Sequence, residues 1–240
     1  MNPLKAFRED VEPLREVLRT FRSQEGLVVI LATLVLVTRR SLRGVDWWVD
    51  LATSIAPVLA NRELRFRVEG ILLLGVVPLL FVLFVHRRSV LDFGLRLPKM
   101  RWFGFATVYL ALVHPINFLY AASPAILADY PFYAPAREGG LEFWGYQALV
   151  AVYMFAWEFL LRGYMLFGLK DRLGPFAILV PLLPFVILHF GYSTPELYFC
   201  IIDGLFLGAI AYLSRSVWPV VYIHTLQSLL WEIEVVYLFQ

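Results

Sequence analysis

Long apolar runs separated by short polar stretches set the pattern of this chain. Six runs are mostly apolar for roughly 17 to 25 residues, the length that a helix needs to cross about 30 Å of hydrocarbon. They are residues 69–85, 104–127, 145–168, 174–190, 197–213 and 217–239. Two further pieces are expected to be shorter or re-entrant. LVVILATLVLV (27–37) is short for a full span, and VDWWVDLATSIAPVLA (45–60) carries Asp46 and Asp50. Residues 4–22 behave differently. Leu4, Phe7, Val11, Leu14, Leu18 and Phe21 recur at spacings of three and four, with charged residues between them. That is an amphipathic helix lying on the membrane or on the rest of the protein, with a kink expected at Pro13. The pattern predicts an all-α, polytopic membrane helical bundle. Six to eight transmembrane or re-entrant helices follow an N-terminal amphipathic helix. Residues 1–26 form the interfacial helix and 27–240 one integral membrane domain.

Composition agrees. The chain is 60% hydrophobic and 17% charged, where a soluble domain is nearer half apolar and a quarter charged. Net charge is +2, without the lysine and arginine blocks that suit nucleic acid. The single cysteine, Cys200, excludes a disulfide framework within the chain and a thiolate zinc site. No internal repeat is present, which argues against many transporter folds.

Basic residues orient the spans. The loop 86–101 holds five, and the loops 169–173 and 214–216 fall on the same side, expected to be cytoplasmic. The loops 128–142 and 191–196 on the other side hold one arginine between them. Residues 39–67 conflict with this count, because they carry six arginines on the poorly charged side.

Against this background FAWEFLLRGYMLFGL (155–169) stands out, with Glu158 and Arg162 inside an otherwise apolar run. A charge in hydrocarbon costs on the order of 2.5 to 3.5 kcal/mol even on lenient scales, so such residues face a bundle interior or a wet cavity. By helical rise, Glu158 and Asp203 lie roughly 18 Å from the basic boundary, His189 roughly 22 Å and His224 roughly 12 Å. Four ionisable groups on four successive helices thus share one band of depth. Bland readings exist for each. Glu158 and Arg162 at i and i+4 neutralise each other as a structural pair. His189 and His224 bond to backbone. Asp203 supports the small-residue packing of GLFLG. His86 sits at an interface, and His114 bonds near Pro115.

Taken together, a glutamate and two histidines at one depth suit water activation. A desolvated carboxylate is a better base, and a histidine shares the task or donates to the oxyanion. The same three side chains, Glu158, His189 and His224, are also the alternative ligands for zinc, although no HExxH motif is present. Otherwise no cofactor is expected. Ser193, Ser228 and Cys200 are weak nucleophile candidates, since neither serine sits in a GxSxG elbow.

WEFLLRG (157–163), FVILH (185–189) and HTLQS (224–228) resemble the three motifs of the CPBP intramembrane proteases. This is the CAAX-protease and bacteriocin-processing family, also called abortive-infection proteins. The motifs run EExxxR, FxxxH and HxxxN or HxxxD, and the resemblance spans roughly residues 140 to 230. HFGYSTPE and SRSVWPVVYIH are similar to bacterial members as well. The resemblance implies a glutamate-dependent endopeptidase that cuts a membrane-associated peptide or protein, in a multi-pass protein of the bacterial inner membrane. Its expected partners are that substrate and the lipid bilayer, with no nucleic acid. By motif position, Glu158 and Arg162 match the second Glu and the Arg, Phe185 the phenylalanine, and His189 and His224 the two histidines. Arg162 would position the glutamate helix. Two departures stand in the motifs. Trp157 replaces the first glutamate, and Ser228 replaces Asn or Asp. Glu196 and Asp203 are nearby carboxylates that would compensate. The competing expectation is a catalytically silent scaffold of the same fold that binds a peptide, lipid or partner protein.

Overall fold

A computed structural model describes residues 3–42 and 45–239, with side chains from residue 11 onward. The side chains of Leu4 and Phe7 therefore lie outside the described residues. Helix α1 (Pro3–Arg22) runs unbroken through Pro13. The break comes instead at Ser23, whose side chain accepts from the Gly26 amide and starts α2 (Gln24–Ser41). The two axes meet at 65°. On α1, Leu14, Val17, Leu18 and Phe21 are all exposed. The apolar core of 27–37 is extended by polar residues on both sides into the 18-residue α2.

After α3 (Asp46–Ile55), Asn61 caps α4 (Arg62–Gly70) by accepting from the Glu63 and Leu64 amides. A π-helical turn, Ile71–Val76, joins α4 to α5 (Val77–Phe84). Helix α6 (Arg101–Ala121) and the short α7 (Pro124–Asp129) follow. Helix α8 (Gly140–Glu158) loosens into a second π-helical turn, Phe159–Met165, and tightens again as α9 (Leu166–Leu173). Gly174, at φ 55°, turns the chain into α10 (Leu179–Leu188). Helices α11 (Thr194–Ser214) and α12 (Trp218–Ile233) complete the bundle, and a last π-helical turn covers Glu234–Phe239. No strand occurs among the described residues, only a single bridge between Phe190 and Tyr192.

Four helices are long and apolar enough to cross a membrane, or five if the bent pair α1–α2 counts as one. The 49-residue stretch Gly140–Leu188 contains two of the expected spans. The expected span at 217–239 is helical but is not among the four, because its inner face carries His224, Gln227, Glu232 and Glu234.

The chain from α8 to α9 is the axis of the core. Phe159, Leu160, Leu161, Tyr164 and Leu166 are at most 1% exposed. Helix α11 approaches α10 through small residues. A Cβ on Gly204 would stand 2.6 Å from Leu182, and one on Gly208 2.6 Å from Ile178, so GLFLG acts as the close-packing pattern it resembles.

The basic loops meet at one end. The Val217 amide donates to the Gly94 carbonyl at 2.9 Å, the Ser216 hydroxyl to the Arg96 carbonyl at 2.7 Å, and Gln24 to the Gly168 carbonyl at 2.9 Å. The conflicting arginines of 39–67 are in part not loop charges. Arg39 and Arg67 are 2% and 6% exposed, and Arg65 pairs with Glu69 at 3.7 Å. Arg43 lies outside the described residues.

Candidate active site

Glu158 is the last residue of α8 and fully buried. Its Oε1 accepts from Arg162 Nη1 at 3.1 Å and from His224 Nδ1 at 2.7 Å. The π-helical turn begins at the next residue. Such a turn holds more residues than an α-turn, which offsets the registers of α8 and α9 by about one residue, or roughly 100°. Arg162 lies inside that turn, 1% exposed, with Cζ 4.1 Å above the Phe185 ring. The motif phenylalanine is therefore the platform on which the guanidinium rests.

His224 donates its Nδ1 proton to the carboxylate, so in the neutral ring Nε2 keeps the lone pair. His189 stands at the C-terminal end of α10, and its Nδ1 donates to the Phe185 carbonyl at 2.7 Å. Its Nε2 is likewise an acceptor. Both histidines line a cavity of about 300 Å³ together with Asp203, Cys200, Ser228 and Glu196. Glu158 does not line it, and stands behind His224.

The sequence-selected residues thus divide. Glu158, Arg162 and His224 form one bonded cluster. His189, Asp203 and Ser228 share the cavity with His224. Asp203 accepts a hydrogen bond from the Tyr109 hydroxyl. Ser193 is engaged with Tyr120 and in a capping box with Glu196. His86 pairs with Tyr164 at 3.1 Å and His114 with Glu234 at 3.2 Å, so both have structural partners outside the cavity. Among the described residues no three His, Cys, Asp or Glu side chains are gathered to hold a metal ion, and the trio Glu158, His189 and His224 is not arranged as ligands.

Trp157 packs edge-on against both histidines, with ring centroids 5.6 Å from His189 and 6.5 Å from His224. Its indole nitrogen has no protein partner. Sequence reasoning missed two features of the surrounding helices. Arg39 reaches in from α2, donating to the Tyr153 hydroxyl at 2.5 Å and lying 4.1 Å above Phe66. Gln147 of α8 donates to Glu232 of α12 at 2.5 Å. An arginine closing an apolar run was the only available signal for the first. The second gave none, since a lone glutamine in a span is unremarkable.

An apolar helical bundle that buries a carboxylate, a guanidinium and an imidazole beside a polar cavity defines an integral membrane protein with a candidate hydrolytic centre. Residues 139–230 match the family of type II CAAX prenyl endopeptidase Rce1-like proteins. That segment contains all three motifs, so the resemblance read from them holds there. No curated protein and no solved structure matches the chain.

Proposed function

We propose that the protein is an intramembrane peptidase that hydrolyses a peptide bond of a membrane-associated peptide or protein, in CAAX-type or bacteriocin-type processing. The observation that carries this reading is the 2.7 Å bond from His224 Nδ1 to Glu158, made beside a cavity that His189 also lines. The expected base, Glu158, is buried behind His224, which favours a division of labour. His224 Nε2 takes a proton from water as the water oxygen attacks the carbonyl carbon. Glu158 holds the imidazole in that tautomer and stabilises the imidazolium that forms, in the manner of a carboxylate–histidine pair. Arg162 fixes the carboxylate and is a positioning residue. His189 Nε2 accepts the second hydrogen of the same water. The tetrahedral oxyanion accepts a hydrogen bond from Ser228 Oγ–H. Collapse breaks the C–N bond, and His224 returns its proton to the leaving amine. Asp203 supports the polar lining.

In this reading the basic end faces the cytoplasm of a bacterial inner membrane. The exposed row on α1 and the 65° bend support α1 lying in the interface.

One observation favours a second reading, a silent scaffold that binds a peptide, lipid or partner. Trp157 occupies the first motif position and packs against both histidines. Cleavage of membrane-anchored peptides by the reconstituted wild type, Glu158→Gln, His189→Ala and His224→Ala separates the two. Loss of turnover in all three supports the peptidase. Undiminished turnover in all three would end this mechanism, and binding without turnover in the wild type favours the scaffold.

A further inference from the structure

The buried carboxylates of this bundle fall into two sets. Outside the cavity each has a basic partner. Glu158 has Arg162 and His224, Glu69 has Arg65 at 3.7 Å, and Glu234 has His114 at 3.2 Å. In the cavity the pattern changes. Asp203 and Glu232 are 6% and 2% exposed, and Glu196 joins them in the lining. All three are held only by neutral donors: the Tyr109 hydroxyl, the Gln147 amide, and the Ser193 hydroxyl and amide. None of them pairs with a lysine, arginine or histidine among the described residues. Arg67 also reaches the lining, where its guanidinium is bound to Glu63 at 2.7 Å and acts on Glu232 only through space, without a direct bond.

The rest of the wall is aromatic. Tyr130 and Trp231 meet edge-to-face at 5.7 Å and Phe132 and Tyr192 at 6.1 Å, while Tyr120 lies tilted against Trp231 at 6.0 Å. Ring faces attract cations most strongly where water is excluded. A buried carboxylate without a counter-ion is costly, and a cationic guest offsets that cost. Partly engaged carboxylates and aromatic faces around one cavity therefore select the same guest.

We propose that this cavity binds a cationic side chain of the peptide substrate, a lysine or an arginine close to the bond that is cut. Glu232 and Asp203 supply the charge, and the Tyr130–Trp231 pair supplies the ring faces. The inference rests on the peptidase reading only in taking the guest to belong to a substrate.

The full chain in lipid nanodiscs is titrated with a short amidated peptide carrying one lysine, and with its norleucine twin, by calorimetry. The lysine peptide is expected to bind about tenfold more tightly. Glu232→Gln is expected to bring the two peptides within about twofold. Equal binding of the twins by the wild type overturns the proposal, as does no binding of either. A lysine preference that survives both Glu232→Gln and Asp203→Asn overturns it too. The wild-type comparison decides even if a variant fails to fold. Cleavage is scored separately. A lysine preference without any turnover leaves the proposal standing and removes the peptidase reading, whereas turnover without the preference does the reverse.

Discussion

Glu63–Arg67 and Glu158–Arg162 are the same arrangement at the covalent level, a glutamate followed four residues later by an arginine on a helix. Both make the bond, at 2.7 Å and 3.1 Å. They differ in the third member. For Glu63 and Arg67 it is the Tyr146 hydroxyl, which accepts from Arg67 at 3.2 Å and donates to Glu63 at 3.1 Å. A phenol, with an ordinary pKa near 10, does not exchange protons readily at neutral pH. For Glu158 and Arg162 it is the imidazole of His224, whose second ring nitrogen carries a lone pair that can accept a proton. The Glu63 side chain is also 19% exposed, while that of Glu158 is fully buried. An ion pair in a membrane bundle is thus not yet a site. In the proposed mechanism the imidazole partner is what distinguishes the second pair from the first.

The largest expected effect is that of Glu158→Ala. It strands the Arg162 guanidinium in the core and should destabilise the protein by about 3–5 kcal/mol, as well as abolish turnover. Thermal unfolding in detergent together with a cleavage assay checks both. His224→Gln keeps a polar group against Glu158, and should lower turnover by about 10²–10⁴-fold while moving the unfolding midpoint little. If turnover survives His224→Gln, the distinction drawn between the two pairs fails. Glu63→Gln should cost about 1–3 kcal/mol of stability and leave the turnover of the folded fraction intact. The smallest effect is expected for Trp157→Phe. Its indole nitrogen has no protein partner, so the loss is packing alone, about 1 kcal/mol, with turnover retained. A large loss of turnover there would make Trp157 part of the chemistry.

Much of this was legible in the sequence. Helices show as long apolar runs because lipid demands them, and Glu158, His189 and His224 stand out because charge and polarity are costly in such runs. The three motifs placed them in order. Their partnership was less legible. Depth along a helix can be counted from sequence, but the direction in which a side chain points depends on helix winding, and three π-helical turns change that count. Arg39 was hidden for another reason. It appeared as one of six loop arginines, yet aromatic rings of α4 and α8 cover it. Glu232 gave no sign of joining the cavity, because its neighbour Gln147 lies 85 residues away.

The loosened stretch Phe159–Met165 also fixes how this chain tolerates changes of length. A surplus residue is stored there, so removing Leu160 or Leu161 lets the coil close to regular winding while its two flanks keep their seats. Such a deletion should separate architecture from chemistry. Circular dichroism would record an unchanged helix content, while the guanidinium swings off its perch and hydrolysis stops. An added residue has no such reserve to draw on and would force one flank to pivot. Indel tolerance in this segment is therefore one-directional, towards shortening.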